Sequence, residues 1–226
     1  MKKLHLLALV ALIMLGLSGC EKATVQNEAF VDVFIKSITN AQGMPVYAAQ
    51  HTAISYNGGI KSVSIVSPGG STMQLDSDPI DTGYSFYNEP AEADYLNTLP
   101  AAGIYTYTVT FDDDEVKTYT NSLSAISILP ANILSLQKSA DGDSVYISWA
   151  VITNAQAYQL KVLKGATQVI ATNPFTVLTP KVGIPVTSLN TSGAGVYTFQ
   201  LSGLYFESST TYDLQAKSTA KMDITL

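Results

Sequence analysis

Beyond its first twenty residues the chain alternates apolar and polar positions with a period of two. In Val31-Asp32-Val33-Phe34-Ile35 the valines and the isoleucine share one face. Ile104, Thr106, Thr108 and Thr110 alternate with Tyr105, Tyr107, Val109 and Phe111, and Val145, Ile147, Trp149 and Val151 alternate with Tyr146, Ser148 and Ala150. Tyr158, Leu160 and Val162 do the same with Gln159 and Lys161. Successive side chains of a strand point to opposite faces, so this is the pattern of half-buried strands. The runs are rich in β-branched and aromatic residues, and turn signals bound them at Asn57-Gly58-Gly59, Pro68-Gly69-Gly70, Asp141-Gly142-Asp143 and Lys164-Gly165. No stretch after residue 20 carries the 3.6-residue period of an amphipathic helix. The pattern predicts an all-β protein.

One phrase is written twice: LNTLPAAGIYTYTV at Leu96–Val109 and LNTSGAGVYTFQL at Leu189–Leu201. Gly103 and Gly195 stand 92 positions apart, close to the roughly 100 residues of one immunoglobulin-type sandwich. Between the copies, Pro130 interrupts the strand-like runs within Ile128-Leu129-Pro130-Ala131-Asn132, as a domain junction would. The expected units are 30–128 and 129–226.

Ser144–Leu163, SVYISWAVITNAQAYQLKVL, resembles a fibronectin type III or related immunoglobulin-like domain. The resemblance implies that Trp149 ends strand B in the core and that Tyr158 lies in the core on strand C. It places the repeated phrase at the corner between strands E and F. There Leu96 and Leu189 precede Tyr105 and Tyr197, each of which starts strand F and hydrogen-bonds back across the corner. The first unit lacks the tryptophan and is immunoglobulin-like through the repeat. The fold class expected is thus two tandem immunoglobulin-like (fibronectin type III-like) β-sandwiches after a lipoprotein signal peptide.

That signal peptide is read from residues 1–20. Lys2 and Lys3 form a positive start, Leu4 to Leu17 is apolar apart from His5, and Leu17-Ser18-Gly19-Cys20 closes the segment. The segment resembles a bacterial lipoprotein leader, which implies that Cys20 is lipidated and that residues 21–29 are a tether. The apolar run is short for a membrane span, which needs roughly 20 apolar residues. Cys20 is the single cysteine, so lipidation leaves no thiol for a disulfide, an iron–sulfur site or a nucleophile. Glu21-Lys22 follows it in place of the aspartate that retains some lipoproteins in the inner membrane. The expected location is therefore the cell envelope, lipid-anchored at the outer membrane.

Charge then removes function classes. Without Lys2 and Lys3 the chain holds 10 lysines, no arginine and 18 acids, a net charge of −8. There is no basic stripe for a nucleic-acid backbone and no polybasic patch for anionic lipid. GxSxG, HExxH and P-loop patterns are absent. His51, the one histidine past the leader, lies in a strand pattern and is expected to face solvent. Asp112, Asp113, Asp114 and Glu115 offer four adjacent carboxylates, a candidate calcium site read in the first place as a charged hairpin turn. Asp76, Asp78 and Asp81 form a second such group. Tyr84, Phe86, Tyr87 and Tyr95 are the candidate ligand surface, aromatic faces beside amides and carboxylates that suit a sugar or peptide.

These features describe a lipid-anchored envelope protein serving as a non-catalytic binding, spacer or structural module. No cofactor is implied, and the partners expected are the membrane and a glycan or envelope protein. The alternative is a glycan-binding accessory lipoprotein of an outer-membrane polysaccharide-uptake system, because anchored immunoglobulin-like proteins resemble starch-utilisation-type components.

Overall fold

The computed structural model describes residues 26–79, 81–176, 180–190, 192–208 and 213–226. Cys20 and the leader lie outside them. The first half supplies β1 (Glu28–Thr39), β2 (Pro45–Asn57), β3 (Ile60–Val66), β4 (Thr72–Gln74), β5 (Asp76–Ser77), β6 (Ser85–Tyr87), β7 (Gly103–Phe111) and β8 (Val116–Leu123). The second supplies β9 (Ile133–Lys138), β10 (Ser144–Trp149), β11 (Ala157–Lys164), β12 (Thr167–Ala171), β13 (Lys181–Pro185), β14 (Val196–Phe206) and β15 (Leu214–Thr225). One helical turn, Val186–Asn190, precedes β14. The period-two pattern is visible in the burial of β7 and β10: on β7, Tyr105, Tyr107, Val109 and Phe111 are buried, and Ile104 faces out.

The strands form three sheets. The largest runs β12-β11-β14-β15-β1-β2-β6-β5, beside a four-stranded sheet β4-β3-β7-β8 and a three-stranded sheet β13-β10-β9. The four-stranded sheet packs on the β1–β2 end of the large one, where Asn121 of β8 donates to the Val31 carbonyl at 3.3 Å. The three-stranded sheet packs on the other end, where Trp149 of β10 meets Tyr158 of β11. The result is two sandwiches that share one continuous sheet.

The seam is a parallel pairing of the first strand with the last: Ile35 opposite Ala216, Lys36 opposite Lys217, Ser37 opposite Ser218. Beside it, the pairing of β14 with β15 slips at Gln215. The extra residue shifts the alternation by one, so Leu214 comes onto the face of Lys217 while Gln215 turns towards Ser122 and Ser124. Gln215 is buried and bridges the halves, its Oε1 accepting the Ser124 amide at 2.9 Å and its Nε2 donating to the Ser122 carbonyl at 3.2 Å. The 128–132 segment is packed as well. Ile128 and Ala131 are buried, and the Ser37 hydroxyl donates to the Ile128 carbonyl at 2.8 Å. Because β1 is central to the shared sheet, both of its faces are covered. Val31, Val33 and Ile35 are buried as the pattern requires, and Asp32, Phe34 and Lys36 are buried behind them.

The repeated phrase forms matching corners. Tyr105 donates to the Ala101 carbonyl at 2.9 Å, and Tyr197 donates to the Gly193 carbonyl, in both cases four residues upstream. Gly103 and Gly195, each two residues before its tyrosine, have φ of 132° and 143°, a backbone that side-chain-bearing residues rarely adopt. The leucines differ. Leu189 is fully buried in the helical turn, and its carbonyl, 2.9 Å from the Tyr197 hydroxyl, shares that hydroxyl's one proton with the Gly193 carbonyl. Leu96 is 59% exposed: it bridges Tyr47 at a sheet edge, past the end of the 3-10 turn Glu92–Asp94.

Candidate functional site

The acidic turn between β7 and β8 closes on the start of the described chain. The Asn27 side-chain amide donates to both Asp113 carboxylate oxygens, at 3.0 and 2.8 Å, and to Glu115 at 2.9 Å. Lys117 donates to the Asn27 carbonyl, and Lys61 pairs with Asp114 at 2.7 Å. The Glu115 amide, followed by Asn27, holds the Asp113 carboxyl below its ordinary range. Gly58 and Gly59 complete the contact, since a Cβ on either would fall 2.0 Å from an oxygen of Asn27 or Asp112. Among the described residues no group of three or more metal-ligating side chains gathers, here or at Asp76, Asp78 and Asp81. Chemically the turn is a clamp: its oxygens are used to hold the first residues of β1.

The four aromatic residues are not brought onto one surface. Phe86 is 6% exposed and belongs to the hydrophobic core, a correction to its place in a ligand surface. It alternates with Ser85 and Tyr87 on β6, so pairing β6 to Ala53 of β2 turns its ring inward. Tyr84 is 53% exposed and its carbonyl accepts the Ser55 amide at 2.8 Å. Tyr95 precedes Leu96, which pairs with Tyr47. Eight positions of β2 therefore separate Tyr84 from the neighbourhood of Tyr95, about 26 Å of extended strand. Tyr87 is half-buried between β2 and β5. A flat platform of stacked aromatics is not what these residues make.

His51 faces inward, against expectation. It is 2% exposed, with its ring 5.1 Å from that of Tyr105 and 5.9 Å from that of Tyr107. It occupies a position on β2 that alternates with Gln50 and Thr52, and the inner side of that alternation faces β7 of the opposing sheet. Tyr107 donates its hydroxyl proton to the Asp32 carbonyl at 2.8 Å. Its oxygen then accepts from His51 Nδ1 at 2.9 Å, which makes His51 a neutral ring protonated on Nδ1. Burial drives its pKa down to about 4, in keeping with a neutral ring.

The Asp32 carboxyl takes no part in that relay. It lies on the other face of β1, where Oδ2 accepts the Leu214 amide at 3.4 Å and Oδ1 is buried without a partner. Burial, with Glu207 and Asp213 adding, pushes it up to about 7. The arrangement holds the two sheets together and keeps the imidazole from substrate. It is structural chemistry, and nothing in it resembles a nucleophile with an accessible base.

Sequence reasoning missed three residues of this outer face: Asp32, Lys36 and Lys217. Each sits at a polar position of an alternating strand, so it reads as solvated. Only the parallel seam, formed between segments about 180 positions apart, encloses them.

No protein-family profile matches this chain, and no curated protein matches it in sequence. Solved structures do resemble it. A two-domain fibronectin type III segment from chicken tenascin is 15% identical, with 89% of this chain and 100% of the segment covered and a TM-score of 0.30. Murine CEACAM1b is 10% identical, with 86% and 98% covered and a TM-score of 0.27. A tetra-tandem repeat from the extending region of a large adhesion protein is 9% identical, with 88% of this chain and 50% of that one covered and a TM-score of 0.30. Likenesses this distant transfer no function.

Proposed function

We propose that this protein is a lipid-anchored, non-catalytic module of the cell envelope, placing a stiff two-sandwich body at a set distance from a membrane as a binding, spacer or structural element. The observation that carries this reading is the spacing of Cys20 and the clamp. Asn27, gripped by Asp113 and Glu115, lies seven residues after the single cysteine. Seven extended residues reach about 24 Å at most. A lipid on Cys20 would thus hold the end of the molecule that carries the acidic turn close to the bilayer. The turn's negative charge would keep that end from lying flat on anionic headgroups. Diacylation makes such an anchor stable where one chain would be marginal.

A non-catalytic role is supported by a buried histidine, by carboxylates committed to Asn27 and lysines, and by the absence of a metal-ligating cluster among the described residues. Glu21-Lys22 after the cysteine favours the outer membrane. The wide spacing of Tyr84 and Tyr95 gives the glycan-uptake alternative no specific support.

The test is expression of the full chain in a Gram-negative bacterium with and without C20A. The wild-type chain should partition into detergent, co-fractionate with outer membrane and carry a diacylglyceryl mass on its first residue, and the C20A chain should be released. Equal partitioning of the two would overturn the reading.

A further inference from the structure

Four of the lysines gather on the outer face of the shared sheet, in a chain whose overall charge is −6. Lys36 on β1 stands opposite Lys217 on β15 across the seam. Lys161 on β11 and Lys221 on β15 flank Gln200 of β14 two rows along the same face, past Ser202 and Thr219. Lys36 is answered by Glu89, with which it forms an ion pair. Glu89 also attracts Lys217, but only through space. Among the described residues Lys217 has no hydrogen-bond or ion-pair partner, although it is half-buried.

Next to Lys217 lies a groove of about 500 Å³, of a size that suits a small molecule. Leu204, Phe206, Leu214 and Pro174 give it apolar walls, and Gln159 and Asn173 bring amides to its rim. The bulge at Gln215 shapes it, because without that slip Leu214 would point to the opposite face. An ammonium half-buried against apolar walls and left without a direct partner is costly, and an anion seated against it relieves the cost. The kind of anion follows from the donors. Lys217 is the single cation among the residues lining the groove, so it matches the one charge of a carboxylate and leaves a phosphate dianion half compensated. The apolar walls call for a carbon body attached to that carboxylate.

We propose that this groove binds a small organic carboxylate, with Lys217 Nζ on the carboxylate, Leu204, Phe206 and Leu214 against the carbon body, and the Gln159 and Asn173 amides on its hydroxyl or carbonyl groups. The site stands apart from the anchoring reading, since it needs neither a lipid nor a particular membrane. Burial, then Lys161 and Lys36, lower the Lys217 amine to about 8 against the pull of Glu89, so a carboxylate bound directly to it raises it again.

The experiment uses the full-length chain in detergent and three probes: glucuronate, glucose as the same body without the charge, and inorganic phosphate as charge without the body. Binding is read by calorimetry and by the Lys217 ε-methylene signal in a ¹³C-lysine sample. Glucuronate should bind and shift that signal in the wild-type protein, a readout that requires no variant. K217M, verified by an unchanged melt, should weaken it about tenfold or more, as loss of a charge-assisted hydrogen bond does. Phosphate or glucose binding as tightly as glucuronate, or silence from all three, would overturn the proposal.

Discussion

The second strand of each half carries a large buried side chain to the middle of its sandwich, and the two middles are built differently. On β10, Trp149 is 1% exposed, with its ring 5.2 Å from Tyr158 and 6.4 Å from Phe175. On β2, His51 lies against Tyr105 and Tyr107 and starts the chain of bonds that ends on the Asp32 carbonyl. The first filling is held by area and dispersion and tolerates an approximate fit. The second is directional. The Tyr107 hydroxyl serves both His51 Nδ1 and the Asp32 carbonyl, so removing it takes a bond from each. One fold thus admits two solutions to the same space, of which only the polar one is sensitive to protons.

The apolar middle should give the largest response to truncation. W149A is expected to cost about 3–5 kcal/mol in urea unfolding followed by circular dichroism, because the hole cannot collapse between two rigid sheets. W149F should cost much less, since the indole Nε1 has no partner to lose. A W149A loss below about 1 kcal/mol would mean that the three rings are not the filling they are taken for. Trp149 is also the sole tryptophan, so its fluorescence follows the second sandwich alone. Coupling through the seam predicts that its transition coincides with that seen by circular dichroism.

Protons distinguish the two middles next. Folding lowers His51 from 6.5 to about 4, so the unfolded chain binds that proton first, and stability is lost as pH falls from 6.5 towards 4. Folding raises Asp32 from 3.8 to about 7, so the folded chain binds that proton first, and stability falls as pH rises through the same window. In the wild-type chain the slopes oppose each other between pH 4 and 6.5 and the profile is nearly flat. D32N leaves His51 alone. Its stability should drop by on the order of 3 kcal/mol on acidification from pH 7 to 4, the equivalent of the 6.5-to-4 shift. Urea midpoints across that range check this, and a flat D32N profile would show that His51 does not titrate as placed.

The two middles were unequally legible in the sequence, for a physical reason. Trp149 and Tyr158 fall on the apolar side of alternating runs, so both burial and partner follow from local pattern. His51 is a polar residue on the buried side, and alternation assigns it no side until Tyr107 of another sheet is known. Phe86 is the converse, an aromatic in a polar neighbourhood whose period-two spacing with Ser85 and Tyr87 already pointed inward. The duplicated corners were visible because a tyrosine and a glycine at fixed spacing impose their own geometry. The shared sheet was not. Nothing local to Ile35 or Ala216 marks them as partners, and a parallel pairing of chain ends is decided by packing alone. The lysine groove was hidden for another reason: it lies over β11, β14 and β15, and the bulge that turns Leu214 to the face of Lys217 leaves no local mark.

The hydroxyl groups give the finer tests. Y107F leaves His51 Nδ1 unpaired in the core and takes one bond from the Asp32 carbonyl, which should cost about 1–3 kcal/mol, and H51F should recover part of it in the double variant. Additive losses would break the relay into unrelated contacts.

The smallest effect concerns the two tyrosine corners, which look alike in sequence and differ by one bond. Tyr105 serves the Ala101 carbonyl only, whereas Tyr197 lies between the carbonyls of Gly193 and Leu189. Each hydroxyl can donate one proton, so Y105F should cost about 1 kcal/mol, as a typical intramolecular hydrogen bond does. Y197F should cost more, because it exposes two carbonyls and loosens the helical turn that seats Leu189. Equal losses would mean that the turn is held by the Leu189 side chain, with its carbonyl adding nothing. Reversed losses would place the firmer corner in the first sandwich, where the exposed Leu96 supplies no such turn.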